Sequence, residues 1–169
     1  MTGFVALLRA VNVGGNNKLP MELLKALGEQ AGFANVRTYI ASGNLVFASD
    51  ASEAECRARL EGQIEAEVGK PLGVLVRSAE ELARLAAANP FADQPGNRVI
   101  AIFTDGPLSL DGVRNCASER LELGARAIYV HYPDGQGQSK LVVPAAKQGT
   151  ARNMNTVAKL AELATEAGG

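Results

Sequence analysis

The chain has 169 residues, with 17 Lys and Arg, 18 Asp and Glu and one His, so its formal charge at pH 7 is −1. This near-neutral balance is not that of a protein that binds nucleic acid nonspecifically. A content of 47% hydrophobic and 21% charged residues is typical of a globular protein and excludes a disordered one. The longest apolar runs, residues 4–8 and 141–146, are far shorter than the roughly 20 residues that span a bilayer. We expect a soluble protein without a membrane partner.

In the first half of the chain, hydrophobic periodicity predicts six elements in the order βαββαβ. Strands are predicted at residues 4–11, 36–42, 45–48 and 73–77, and helices at residues 20–31 and 53–68. This is the order of the split βαβ, or ferredoxin-like, arrangement, in which four antiparallel strands carry two helices on one face. We therefore predict a ferredoxin-like N-terminal half at residues 1–78.

In the second half of the chain, the hydrophobic periodicity predicts a less complete copy of this order. Helices are expected at residues 79–88, 108–117, 140–147 and 155–167, and strands at residues 98–104, 119–123 and 126–132. The first strand is apolar on both faces, since Phe4 and Ala6 alternate with Val5 and Leu7, so a second layer must cover the face that the helices leave bare. We predict an α+β protein of two ferredoxin-like halves that pack closely or intertwine, the second at residues 79–169.

The cysteines and the N-terminal segment bear on metal chemistry and on location. Cys56 and Cys116 are too few for a disulfide framework, and with His131 they match no recognised zinc spacing. The first residues enter a strand-like run directly, without the basic and apolar regions of a secretory signal. We expect a cytoplasmic protein with no structural metal and no cofactor.

Three long stretches contain no Asp or Glu: residues 1–21, 30–49 and 135–161. They hold seven cations, namely Arg9, Lys18, Arg37, Lys140, Lys147, Arg152 and Lys159. The field of unopposed charges adds within a cleft. Folding that brought the three stretches together would therefore make a pocket suited to a phosphate or a carboxylate.

The first acid-free stretch contains a segment rich in Gly and Asn, from Asn12 to Lys18. Gly14 and Gly15 would let backbone amides approach an anion, with the lysine behind them. The spacing matches neither common nucleotide-binding signature, and Glu22 in the first turn of the following helix would repel an anion. A turn built from residues that tolerate positive φ explains the segment equally well. Both interpretations stay open.

Several polar residues of the acid-free stretches have structural explanations. Gly43 and Asn44 between two strands predict a two-residue hairpin, which accounts for Ser42-Gly43-Asn44 without a ligand. Ser139, Thr150 and Asn153 each precede a predicted helix and are interpreted as N-caps.

Capping does not explain Lys140 and Arg152, because a cation near a helix N-terminus opposes the helix dipole. Both positions become favourable if an anion lies between them, held by the arginine fork and the helix amides. Replacing Arg152 by Ala should leave folding nearly intact if the side chain is a solvent-facing ligand arm. It should cost roughly 2–5 kcal/mol if the side chain pairs with a buried acid.

No group of residues indicates a reaction. His131 is the sole histidine and lies on a predicted strand, and Cys56 lies on the apolar stripe of its helix, where a small buried hydrophobe is expected. Lys140 or Tyr39 could serve as an acid or a base, but no residue pair specifies the chemistry. An enzyme is neither indicated nor excluded.

Five short blocks are spread over nearly the whole chain. They are ALLRAVNVGG at residues 6–15, VRTYIASGN at 36–44, NPF at 89–91, SKL at 139–141 and TARN at 150–153. Together these blocks resemble the signature of the bacterial domain of unknown function 1697 family. The resemblance implies a fold of two intertwined ferredoxin-like halves, and it implies no established activity.

The leading hypothesis is a cytosolic binding protein for a phosphate-bearing small molecule or nucleotide. Its candidate lining consists of polar residues and glycines from the acid-free stretches: Arg9, Asn12, Gly14, Gly15, Lys18, Ser42, Asn44, Ser139, Lys140, Arg152 and Asn153. One alternative is a nucleic-acid-associated protein, which the near-neutral charge makes the less favoured one. Another is a structural or interaction module without a ligand. The sequence leaves the oligomeric state open.

Overall fold

The computed structural model describes residues 1–9, 19–40 and 43–168. These residues form two four-stranded antiparallel sheets and four α-helices, so the protein is of the mixed α+β class. The chain divides into two compact units, the first formed by Met1–Ala83 with Leu160–Gly169 and the second by Arg84–Lys159. The first unit therefore includes the end of the predicted C-terminal half. Within the described ranges no helix is both long and apolar enough to cross a membrane.

The first unit is built on a sheet of four strands. They are β1 (Thr2–Leu8), β2 (Ala34–Thr38), β3 (Asn44–Ser49) and β4 (Val74–Ser78). Their order in the sheet is β2-β3-β1-β4, and in the central strand Leu7 lies opposite Asn44 on one side and Leu75 on the other. The predicted strands are confirmed to within a few residues. The predicted strand ends at Val11 and Ser42 lie outside the described residues.

Helices α1 (Met21–Gln30) and α2 (Glu53–Val68) pack on one face of this sheet and close the first hydrophobic core. Cys56, Leu60 and Ile64 of α2 repeat every four residues and are fully buried with Phe4 of β1 and Phe47 of β3. Burial raises the pKa of the Cys56 thiol. The prediction that Cys56 acts as a small buried hydrophobe is confirmed.

The end of α4 (Met154–Gly168) lies against the other face of the first sheet. Gly3 of β1, on the face shared with Val5, approaches the backbone of Ala164 so closely that a side chain would not fit. The side-chain amide of Asn35 donates to the carbonyl of Ala167 over 2.9 Å. The first unit thus includes the C-terminal part of α4 as a third helical segment.

The second unit is built on a sheet of the same size. Its strands are β5 (Val99–Thr104), β6 (Arg120–Leu123), β7 (Ala127–His131) and β8 (Gly149–Asn153), in the order β6-β7-β5-β8. One face of this sheet forms the second hydrophobic core, which consists of Ile100, Ile102, Ile128, Val130, Tyr132 and Val143. The connecting helix α3 (Ala79–Ala87) lies where it was predicted.

Two predicted helices of the second half are wrong. Residues 108–117 are irregular, because Gly112 and Asn115 adopt φ of +78° and +60°, which a right-handed helix does not allow. Residues 140–147 overlap only the short 3₁₀ turn Pro144–Gln148, and Val142 bridges to Arg114 instead of joining a helix. Proline cannot continue a helix that begins before it, because it lacks the N–H donor.

Strand β8 is absent from the sequence prediction, which placed residues 150–153 just before a helix. It lies at the edge of the second sheet and pairs with β5, so that Ala101 faces Arg152 and Phe103 faces Thr150. Polar residues are tolerated on an edge strand, and the pairing partner lies some fifty residues away in the chain. Local pattern therefore carried no signal for this strand.

Candidate functional site

The end of β1 places Arg9 where three strands of the first sheet begin or end. The backbone N–H of Arg9 donates to the carbonyl of Gly73 over 3.0 Å, just before β4 begins. The N–H of Leu8 donates to the carbonyl of Gly43 over 2.9 Å, just before β3 begins. A Cβ built on Gly73 would stand 2.9 Å from Cδ of Arg9, so the glycine leaves room for the arginine stem. Arg9 is half-buried, and the methylene part of its side chain is confined by its packing on Gly73.

Asn44 closes the connection between β2 and β3. Its side-chain amide donates to the carbonyl of Tyr39 over 3.0 Å, and the N–H of Tyr39 donates to the carbonyl of Asn44 over 3.2 Å. Asn44 is fully buried, and Gly43 before it has a φ of +80° that favours glycine. Asn44 is the first residue of β3, and residues 39, 40 and 43 lie outside both strands, so the two-residue hairpin predicted at Gly43 and Asn44 was wrong. These bonds account for an asparagine here without a ligand.

Five predicted site residues lie outside the described residues: Asn12, Gly14, Gly15, Lys18 and Ser42. Four of them belong to the segment that joins Arg9 to Leu19, and Leu19 is buried in the first core. Their role in binding stays a prediction.

Arg152 lies in the interior of β8 with 8% of its surface exposed. Its Nη1 donates to the hydroxyl of Thr150 over 2.8 Å and to the carbonyl of Ala151 over 2.9 Å. Burial lowers the pKa of its guanidinium to about 10. The expectation of a cation near a helix N-terminus was wrong for Lys140, because no α-helix follows it directly. Arg152 does lie two residues before α4 begins at Met154, but on a strand, which also excludes the predicted N-cap role of Thr150.

Asn153 ends β8 and caps α4. Its Oδ1 accepts a hydrogen bond from the N–H of Thr156 over 2.9 Å, which is the bond of an N-cap residue. The capping prediction is confirmed for Asn153. It was wrong for Ser139, whose hydroxyl accepts from the N–H of Leu141 over 3.1 Å in a turn that no α-helix follows.

Ser139 and Lys140 line a cleft of about 410 Å³ within the second unit. The other walls come from residues 115–119 and 132–135 and from Gln138. Glu119 is held at both oxygens: Oε1 accepts from the N–H of Ala117 over 2.7 Å, and Oε2 accepts from the hydroxyl of Ser139. The bond from Ser139, then that from Ala117, lowers the pKa of the Glu119 carboxyl. A fixed carboxylate is therefore part of the cleft wall.

Comparison with known proteins decides the family. The family model described as "Protein of unknown function (DUF1697)" matches residues 1–129. The chain belongs to this family. The identification made from the sequence blocks is confirmed, and no curated protein matches the chain.

This DUF1697 member is also similar in fold to a solved structure, "The structure of conserved bacterial protein SP0830 from Streptococcus pneumoniae". The two chains are 25% identical and superpose with a TM-score of 0.80, over 96% of this chain and 98% of the other. The likeness extends beyond residue 129, so the architecture of the second unit is shared as well.

Three residues of the cleft in this DUF1697 chain were missed by sequence reasoning: Glu119, Tyr132 and Asp134. The site was predicted from stretches without acids, which exclude both carboxylates by definition. The available signal was the Pro-Asp-Gly turn at residues 133–135, which follows β7 directly. The structure places Ser139 and Lys140 in this cleft, whereas Arg152 and Asn153 lie on β8 and serve local structure.

Proposed function

We propose that this protein binds a small molecule that bears a phosphate group, with Arg9 as the anchoring cation. The observation that carries the proposal is the position of Arg9 at the end of β1, with its stem packed over the bare Cα of Gly73. A guanidinium on a restricted stem offers phosphate oxygens a planar pair of donors at low entropic cost.

The segments next to Arg9 supply the groups that a phosphate site needs. Residues 10–18 contain no acid, include Gly14 and Gly15, and end in Lys18. Ser42 lies two residues before Asn44, which pairs with the end of β1. Glycines allow backbone amides to approach an anion, and a lysine adds charge. The sequence neighbours of this sheet end therefore support the proposal.

The carboxylate of Glu61 lies at the same end of the sheet, where it already has a hydrogen-bond donor and an ion-pair partner. Oε2 of Glu61 accepts from the N–H of Val74 over 3.3 Å, and Oε1 lies 3.5 Å from Nε of Arg57. Its charge is compensated by that arginine, so it weakens the attraction for an anion less than a lone acid would.

We further infer that each unit is a ferredoxin-like half. The orders β4-β1-β3-β2 and β8-β5-β7-β6 are the same permutation of four strands, which supports a repeated split βαβ plan. In the second unit, the irregular residues 105–119 stand where the first helix of that plan would lie.

A thermal-shift screen tests the binding proposal. The probes are inorganic phosphate, ribose 5-phosphate, adenine and guanine nucleotides, and short RNA and DNA, each at low and moderate salt. A ligand at about 100 times its Kd stabilises the native state by about 2.7 kcal/mol, which raises the melting temperature by a few degrees. We expect at least one small phosphate compound to give such a shift at both salt concentrations.

The decisive comparison is between Arg9→Gln and Arg59→Gln. Both remove one positive charge, but Arg59 lies exposed on α2, 3.5 Å from Glu55. The shift should persist in Arg59→Gln and disappear in Arg9→Gln. An equal shift in both variants, or no shift in the wild type, would reject the proposal. A shift by RNA or DNA alone that falls steeply with salt would favour nucleic acid instead.

A further inference from the structure

The cleft lined by Ser139 and Lys140 includes a buried tyrosine, Tyr132, whose hydroxyl has no partner among the described residues. Tyr132 is 7% exposed, packs in the second core and is one of the residues that line the cleft. Among the described residues, none hydrogen-bonds its hydroxyl. Tyr129 shows the usual situation: it is 3% exposed and donates its hydroxyl to the carbonyl of Leu85 over 2.7 Å. Tyrosine hydroxyls in such places are normally hydrogen-bonded, so that of Tyr132 is available to a molecule bound in the cleft.

The state of this phenol is set by its surroundings. Burial, and then the negative charge of Glu119, raise the pKa of Tyr132. The group therefore stays protonated at neutral pH and can donate a hydrogen bond. Glu119 itself cannot offer much to a ligand, because Ala117 and Ser139 already occupy its two oxygens.

Two further groups in the cleft are available to a ligand. Lys140 is exposed and forms no ion pair with any residue that the structure describes. Oδ2 of Asp134 accepts from the hydroxyl of Ser118 over 3.3 Å, and its carboxylate forms no ion pair within the described part of the chain. The cleft thus offers a phenol donor, an ammonium and a carboxylate.

The balance of charge distinguishes the class of ligand. The cleft lining carries the carboxylates of Glu119 and Asp134 and the ammonium of Lys140. The guanidinium of Arg98 donates to the carbonyl of Pro133 in the same wall, so both signs of charge are present. A molecule with an ammonium and a carboxylate can pair its positive group with a carboxylate of the cleft and its negative group with the ammonium of Lys140. The volume of about 410 Å³ is in the usual range for a small-molecule site.

We propose that this cleft binds a small zwitterion of the free amino-acid class, with its carboxylate held by Tyr132 and Lys140 and its ammonium by Asp134. The inference rests on residues of the second unit alone. It does not depend on the phosphate site proposed at Arg9.

Calorimetric titration of the whole protein with free amino acids tests this inference. Each amino acid is paired with two analogues of the same side chain, the amine without the carboxylate and the acid without the ammonium. We expect one or more amino acids to bind, and both analogues to bind about 10-fold or more weakly. Equal binding of either analogue, or no binding by any amino acid, would overturn the inference.

Variants of the cleft separate ligand binding from folding. Tyr132→Phe keeps the ring, and we expect the stability of the free protein to be unchanged, because the hydroxyl bonds to no residue that the structure describes. The same variant should bind the amino acid about 10-fold more weakly, as should Lys140→Met. Lys25→Met removes the same charge from the exposed side of α1 and should bind like the wild type. Wild-type affinity in Tyr132→Phe would contradict the role of the phenol.

Discussion

Gly3 of β1 lies directly against Ala164 of α4. A Cβ built at residue 3 would stand 1.8 Å from the carbonyl oxygen of Ala164 and 2.7 Å from its carbonyl carbon, distances at which the backbone must shift. Gly168 of α4 lies equally close to β1, since a Cβ built on it would stand 2.5 Å from the backbone nitrogen of Gly3. Two glycines thus allow the end of the chain to lie on the first sheet.

Substitution of Gly3 by Ala should destabilise the protein strongly. The added methyl overlaps backbone and not a movable side chain, so we expect a loss at or above the usual overpacking range of about 1–3 kcal/mol. Urea unfolding followed by circular dichroism measures the change. Gly62→Ala in α2 is the matched control, because a Cβ there meets no atom within 4 Å. That variant should gain about 0.5–1 kcal/mol from helix propensity, and wild-type stability of Gly3→Ala would refute the close contact.

The first unit could be predicted from sequence because its elements carry local signals. Helix α2 was placed correctly from residue 53 to residue 68 by the spacing of its apolar residues. Its ends agree with residue type as well, since Ser52 accepts from the N–H of Glu55 as N-cap and Gly69 ends the helix with a φ of +86°. Both signals can be read from residue type alone. Core positions repeated at helical spacing in the same segment.

The second unit was harder to predict because tertiary pairing decides its structure. Strand β8 exists through its pairing with β5, and Arg152 lies opposite Ala101, whose small side chain leaves space on that face. No local pattern distinguishes this arrangement from a helix start. The capping role of Asn153 was predictable because it depends on a residue three positions away. The unpartnered hydroxyl of Tyr132 depends on the whole cleft.

The cap of α4 gives a second prediction. Asn153→Ala removes the acceptor for the N–H of Thr156 and should cost about 1 kcal/mol. Asn153→Ser keeps an oxygen that can accept the same bond and should remain within a few tenths of a kcal/mol of the wild type. Urea unfolding of the three proteins measures both differences. If the serine variant loses as much as the alanine variant, Asn153 stabilises the protein by something other than capping.

Arg152 gives a third prediction, which concerns stability. Its guanidinium donates to Thr150 and Ala151 inside the protein, and hydrogen bonds from charged groups contribute about 1.5–3 kcal/mol. Arg152→Ala should therefore lower the free energy of unfolding by about that amount near neutral pH. A double-mutant cycle with Thr150→Val measures the part that belongs to the Arg152–Thr150 bond, and a coupling energy near zero would show that this bond contributes nothing.

The pH dependence of stability, compared between the wild type and Arg152→Ala, tests whether Arg152 is a buried charge. The pKa of Arg152 falls from its ordinary value to about 10 in the folded protein, so between these two values the unfolded chain binds more protons than the folded one. Wild-type stability therefore rises with pH in this window, by up to about 1.4 kcal/mol per pH unit from this group. Other groups titrate in the same range, so the difference between the wild type and Arg152→Ala isolates the contribution. That difference should widen between about pH 9 and about pH 11, and a constant difference would mean that burial does not perturb the guanidinium.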